Sequence, residues 1–146
     1  MPVFTTKQTV GIEWGLSSAG DSGSATAGNF LGLYDSSGNR VAVSADIGTV
    51  LTSQTGPIAT PWVTPANLTN GHYYVAVLMN GTWSTKVPTW KATGGGSTTN
   101  SRLSAPNYRL ANMLTGQTSL PTTLNFANQT TTAITGGAMS AWFGLY

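Results

Sequence analysis

The sequence predicts an all-β protein, a jelly-roll-like antiparallel β-sandwich with at most one short helix, and three observations carry that prediction. Threonine, whose branched side chain suits a pleated sheet better than a helix, occurs 24 times among 146 residues. The 18 glycines and 7 prolines are spread along the chain and leave no room for a long helix. An unbroken apolar run, Tyr73-Tyr74-Val75-Ala76-Val77-Leu78-Met79, stands between Asn70-Gly71 and Asn80-Gly81. Asn and Gly reach positive φ at low cost, as the tight turns between antiparallel strands require. Alternation puts Tyr73, Val75, Val77 and Met79 on one face of this strand and His72, Tyr74, Ala76 and Leu78 on the other. Both faces are apolar, so the strand belongs in the middle of a sandwich, or in a sheet whose outer face meets a partner chain or a neighbouring loop.

Taken in order, Val10 to Leu16 alternates strictly, with Val10, Ile12, Trp14 and Leu16 expected on the core face and Gly11, Glu13 and Gly15 on the other. Residues 17–28 read as a small polar loop. Phe30 to Tyr34 and Arg40 to Ser44 flank Asp35-Ser36-Ser37-Gly38-Asn39, a hairpin turn in which Asp35 is expected to cap its own backbone. Residues 46–56 show no clear period, and Val50-Leu51 is assigned to a short strand. Pro57, Pro61 and Pro65 interrupt the next segment, and proline cannot donate to a ladder, so residues 57–65 form at best an edge strand. After the bracketed strand, residues 82–91 are extended and aromatic, and residues 94–101 form a flexible loop too short to link domains. Residues 106–114 admit either a short helix or a strand, because Leu110, Met113 and Leu114 fit helical spacing and Arg109 to Met113 fits an extended run. Leu120 to Leu124 is extended. The closing Met139 to Tyr146 segment is too apolar to be left in water and reads as a paired strand, with Trp142 assigned to the core beside Trp14.

A chain of this length fits one domain spanning residues 1–146. Charged residues make up only 7% of it, against about 25% in an average globular protein, so hydroxyls, amides and glycine must cover the surface. The six basic residues do not cluster, which argues against electrostatic capture of nucleic acid. With no cysteine, disulfide staples and thiolate metal sites are excluded. No run approaches the roughly 18 apolar residues of a membrane span, so no membrane insertion is expected.

Catalytic constellations are sparse. Gly20-Asp21-Ser22-Gly23-Ser24 resembles the nucleophile segment of trypsin-like serine proteases, but His72, the single histidine, follows that serine instead of preceding it. The carboxylates are Glu13, Asp21, Asp35 and Asp46, too few and too scattered for a strong metal cage, and nothing in their spacing shows which two would face one another across a sugar. Gly94-Gly95-Gly96 lacks the Lys-Ser/Thr of a phosphate cradle. No cofactor, metal or catalytic residue is therefore assigned. Trp62, Trp83 and Trp90 lie in segments read as loops or edges. An exposed indole beside neutral hydrogen-bonding side chains suits a neutral glycan, so these three are taken as stacking surfaces, with Asn80 and Asn100 as hydrogen-bond partners. The competing role for each tryptophan is a place in the core or in an oligomer interface.

The ordered set Phe30-Leu31-Gly32-Leu33-Tyr34-Asp35-Ser36-Ser37-Gly38, Val41 to Asp46, Gly71-His72-Tyr73-Tyr74-Val75-Ala76-Val77, Leu120-Pro121 and Trp142-Phe143-Gly144-Leu145-Tyr146 resembles the C-terminal domain of minor tail or tail-fibre proteins of phages that infect actinobacteria. The resemblance runs from about Thr9 to the last residue. It implies a jelly-roll-like domain at the distal end of a virion appendage, a homotrimer, attached to a host cell-wall polysaccharide or other surface glycan. It supplies no catalytic motif. It also implies that the chain is a C-terminal fragment of a longer tail protein. The alternative function is a structural module that trimerises and caps a tail fibre without touching a receptor.

Overall fold

The computed structural model describes residues 1–93, 103–131 and 140–146, so the loop expected near 94–101 lies outside the described residues. The strands are β1 (Pro2–Val3), β2 (Lys7–Ser18), β3 (Phe30–Asp35), β4 (Arg40–Val43), β5 (Gly56–Leu68), β6 (Gly71–Leu78), β7 (Thr89–Trp90), β8 (Ala92–Thr93), β9 (Ser140–Ala141) and β10 (Gly144–Leu145), with one short helix, α1 (Gly48–Ser53). They form an all-β sandwich. One sheet has the order β1-β6-β3-β4; the other has β10-β2-β5, with β7 also pairing β2, and β8 and β9 form a separate ladder. Every pairing is antiparallel. The chain changes sheet between β1 and β2, β2 and β3, β4 and β5, β5 and β6, and β6 and β7. Each crossing lays consecutive strands on opposite sides of one core built from Ile12, Trp14 and Leu16 of β2, Leu31 and Leu33 of β3, Ile58 and Trp62 of β5, and Tyr73 of β6.

The Asp35 hairpin forms as expected. Its Oδ1 accepts from the backbone N–H of Ser37 and of Asn39, each at 2.9 Å, and Gly38 takes φ +85° at the turn. Residues 120–124 run extended along this hairpin, where Arg40 N–H donates to the Thr122 carbonyl and Leu124 N–H to that of Gly38, both at 2.8 Å.

Strand β2 departs from strict alternation. Its register against β5 shifts between Thr9 and Gly11, and this bulge turns Thr9 into the core and leaves Val10, expected inside, 43% exposed. Strand β5 is the predicted edge, yet it is long: over its first half Ile58, Thr60 and Trp62 point inward and Pro57, Ala59, Pro61 and Val63 outward, before the alternation breaks at residues 63–65, where the register against β2 shifts. The prolines are tolerated because β5 ends its sheet.

Two expectations are corrected. Val50-Leu51 lies in helix α1 and not in a strand. The signal is the i,i+4 pair Ile47 and Leu51, both buried, with Leu51 N–H bonded to the Ile47 carbonyl at 3.0 Å and Asp46 Oδ1 accepting from Gly48 N–H at 2.7 Å. Residues 106–114 are neither helix nor strand; Asn112 instead bridges to Thr130, taking its backbone out of any local pattern. Strand β6 carries β3 along one edge from Tyr73 to Leu78 and β1 only at the start of the other. Its outer face does meet a neighbouring segment, the other arrangement foreseen: Tyr74 packs on Phe126 with ring centroids 4.5 Å apart, and the Tyr34 hydroxyl donates to the Pro121 carbonyl at 2.6 Å.

Candidate functional site

The predicted stacking residues do not gather into one surface. Trp62 is 4% exposed. Its segment is an edge, but Ser44, just after β4, bridges to it there, and alternation along β5 turns the indole inward, where Nε1 donates to Thr9 Oγ1 at 3.2 Å. It cannot stack on a sugar. Trp90 is half-buried, wedged between Trp14 (centroids 4.7 Å) and Phe143 (5.8 Å). Trp83 is also half-buried and lies across Gly20 and Gly81, where an added Cβ would come within 2.7 and 2.4 Å of its ring. Asn80 is a structural pin: its side-chain amide donates to the carbonyls of Gly28 (2.7 Å) and Gln117 (2.9 Å), and its backbone N–H to Asn29 Oδ1 (2.6 Å). Asn100 lies outside the described residues.

The carboxylates are likewise committed to the backbone. Asp21 Oδ2 accepts the N–H groups of Thr85 (2.7 Å), Lys86 (3.0 Å) and Ser84 (3.1 Å), so the Gly20–Ser24 loop is tied to residues 84–86. These bonds, that from Lys86 first, hold its carboxyl below the usual 3.8. In Asp46 and Asp35, partial burial pushes the carboxyl up. Hydrogen bonds from Gly28, Gly48 and Asn29 in the first case, and from Asn39, Ser37 and Gly38 in the second, outweigh it and leave both lowered. The protease-like segment has no base: its loop bridges to Gly81 beyond one end of β6, while His72 lies at the other end, nine residues or roughly 30 Å away at 3.3 Å per residue. Among the described residues no three His, Asp or Glu side chains gather as a metal site.

The aromatic surface that does form lies on the open face of the β10-β2-β5 sheet. Alternation along β2 points Gly11, Glu13 and Gly15 outward, and β10 pairs Gly144 with Glu13. Trp142, expected in the core, is 57% exposed and lies over Gly144, whose added Cβ would stand 3.2 Å from the indole. Tyr146, 37% exposed, lies over Gly11, where an added Cβ would meet the phenol oxygen at 2.3 Å. The stem of Lys91 lies over Gly15. Two rings thus rest on a glycine floor, two residues or roughly 7 Å apart along the strand, with exposed Glu13 beside them. Outside this row, β5 adds Pro57, Ala59, Pro61 and Val63, the last 67% exposed.

The platform is fixed from below. At the bulge, Val10 N–H (2.7 Å) and Gly11 N–H (3.3 Å) both donate to the Tyr146 main-chain oxygen, and Thr9 Oγ1 lies 2.9 Å from it. Trp62 therefore contributes at one remove, through the Thr9 hydroxyl. Comparison with known proteins finds no matching family model, curated protein or solved structure.

The signal for this face was present in the closing residues. In Trp142-Phe143-Gly144-Leu145-Tyr146 a period of two separates Phe143 and Leu145, which pack against the core, from Trp142, Gly144 and Tyr146. Treating the stretch as uniformly apolar concealed that split.

Proposed function

We propose that this chain is a non-catalytic glycan-binding domain of a phage tail, which holds a virion to a cell-wall polysaccharide or related surface glycan of an actinobacterial host. The observation that carries the binding role is the pair of exposed rings, Trp142 and Tyr146, packed over Gly144 and Gly11 beside Glu13. Exposed aromatic faces favour the apolar side of a sugar ring, and the glycines beneath let the two rings pack down onto the sheet. The neutral, hydroxyl-rich composition supports a neutral ligand, and the ordered resemblance to tail-protein domains supports the setting and a trimeric assembly. Against hydrolysis, a glycosidase needs two carboxyl groups across the scissile bond, whereas Asp21, Asp35 and Asp46 spend their oxygens on backbone amides away from Glu13.

The test is a glycan array or whole-cell binding assay with the chain and its Trp142→Ala and Tyr146→Ala variants. Each variant is expected to weaken binding by about tenfold or more, about 1.4 kcal/mol, with the thermal midpoint nearly unchanged. The competing role, a structural trimerisation module, is favoured by the exposed Val63 at the margin of the same face. Light scattering distinguishes them: if Trp142→Ala splits the oligomer and no glycan binds the parent chain, the platform is an interface between copies.

A further inference from the structure

The edge of β6 is half covered, and what covers it is visible. Strand β1 pairs with its first residues, Pro2 with His72 and Val3 with Gly71, and Tyr73 N–H donates to the Met1 carbonyl at 2.7 Å. In an antiparallel ladder alternate residues turn their N–H and C=O to the same edge. The bond at Tyr73 therefore fixes the parity: Val75 and Val77 present one donor and one acceptor each to the side of β1, while Tyr74, Ala76 and Leu78 face β3, with which they pair through Tyr34, Gly32 and Phe30. Among the described residues no strand lies opposite Val75 and Val77. Native proteins guard a free edge with charge, proline, a bulge or a covering loop; β6 from Tyr73 to Leu78 has none of the first three, and residues 108–114 line the cavity beside it.

This open half does not face bulk solvent alone. It borders a cavity of ≈ 520 Å³, whose other walls are Trp90 and Phe143 from the second sheet and Leu110 and Met113 from the segment that passes above. Ligand-binding clefts generally fall between roughly 300 and 1,000 Å³. Apolar walls with a row of backbone donors and acceptors along one side match an extended peptide, whose main chain completes the ladder and whose alternate side chains enter the cavity.

We propose that the edge of β6 at Val75 and Val77 accepts an extended peptide with apolar residues at alternate positions, added antiparallel as a strand in line with β1. The site is separate from the aromatic platform and does not depend on the glycan-binding reading. It is tested by amide hydrogen exchange on the whole chain, followed by NMR, with and without excess of the capped hexapeptide Thr-Val-Thr-Val-Thr-Val. In the free chain the amides of Val75 and Val77 exchange much faster than those of Ala76 and Leu78. With peptide they slow by about tenfold or more, and the same peptide N-methylated at alternate residues has no effect. Val75 and Val77 already as slow as Ala76 without peptide, no slowing at saturating peptide, or equal slowing by the N-methylated form, which would mark cavity filling without a ladder, each overturn the proposal.

Discussion

The two faces of the β10-β2-β5 sheet share their backbone and differ in what a tryptophan does on each. On the inner face, Trp62 is enclosed by both sheets and its one polar atom is satisfied by Thr9, while Trp14 Nε1 likewise donates to Thr60 Oγ1 at 2.8 Å. Buried aromatic N–H groups need such partners, and each hydroxyl is placed one strand away from its indole. On the open face, Trp142 rests on glycine with its outer surface in water and is 57% exposed. Both residues have only neutral neighbours in the sequence, so local composition does not separate them. What separates them is the parity of each strand and whether a second layer stands opposite. The comparison teaches that Trp142, which joins β9 to β10, is exposed because it lies over a glycine on a face with no second layer opposite.

This contrast can be broken in graded steps. The largest effect is expected from Trp62→Ala, which empties a site in the core and should cost about 3–5 kcal/mol in denaturant unfolding. Binding would weaken only as far as Thr9 and Tyr146 move with it. Gly11→Ala comes next. Its methyl would meet the Tyr146 ring and also the Thr60 carbonyl oxygen at 2.6 Å, so about 1–3 kcal/mol of stability is expected to be lost, together with glycan binding, because the ring must lift from the floor. Acid should act more gently and on the loops. Asp21, Asp35 and Asp46 have folded pKa values below the ordinary 3.8. Their contribution is therefore complete above that value and is lost as pH falls through the lower folded values. Urea midpoints at about pH 5 and about pH 2.5 should differ in that direction, and Asp46→Asn should flatten the difference. The smallest stability change, within about 0.5 kcal/mol, is expected for Trp142→Ala, since the indole covers only a glycine on an open surface. A larger loss measured by the same unfolding experiment would make Trp142 part of the packed structure and remove the contrast with Trp62.

Much of the architecture could be read from the chain because it rests on local chemistry. The Asp35 hairpin follows from turn residues with fixed φ requirements, and β6 from a branched and aromatic run between two Asn-Gly pairs. The proline-marked edge at β5 follows from missing donors. Harder to read were features that depend on a partner far along the chain. Val10 is outside only because the strand must bulge at Thr9 to receive both N–H groups on Tyr146, 136 residues later in the numbering from Val10, a contact no window of sequence contains. Helix α1 was legible in the spacing of Ile47 and Leu51, but a run of Thr, Val and Leu that short fits a strand as well.

By itself, the sequence determined the material: a β-rich chain, poor in charge, without cysteine, whose turns are set by Asn, Asp and Gly because those residues carry their backbone preference wherever they stand. Only the tertiary structure decided which aromatics are buried and which are offered to water. That choice depends on strand parity and on the layer opposite, and both are properties of the pairing between distant segments and not of any residue alone.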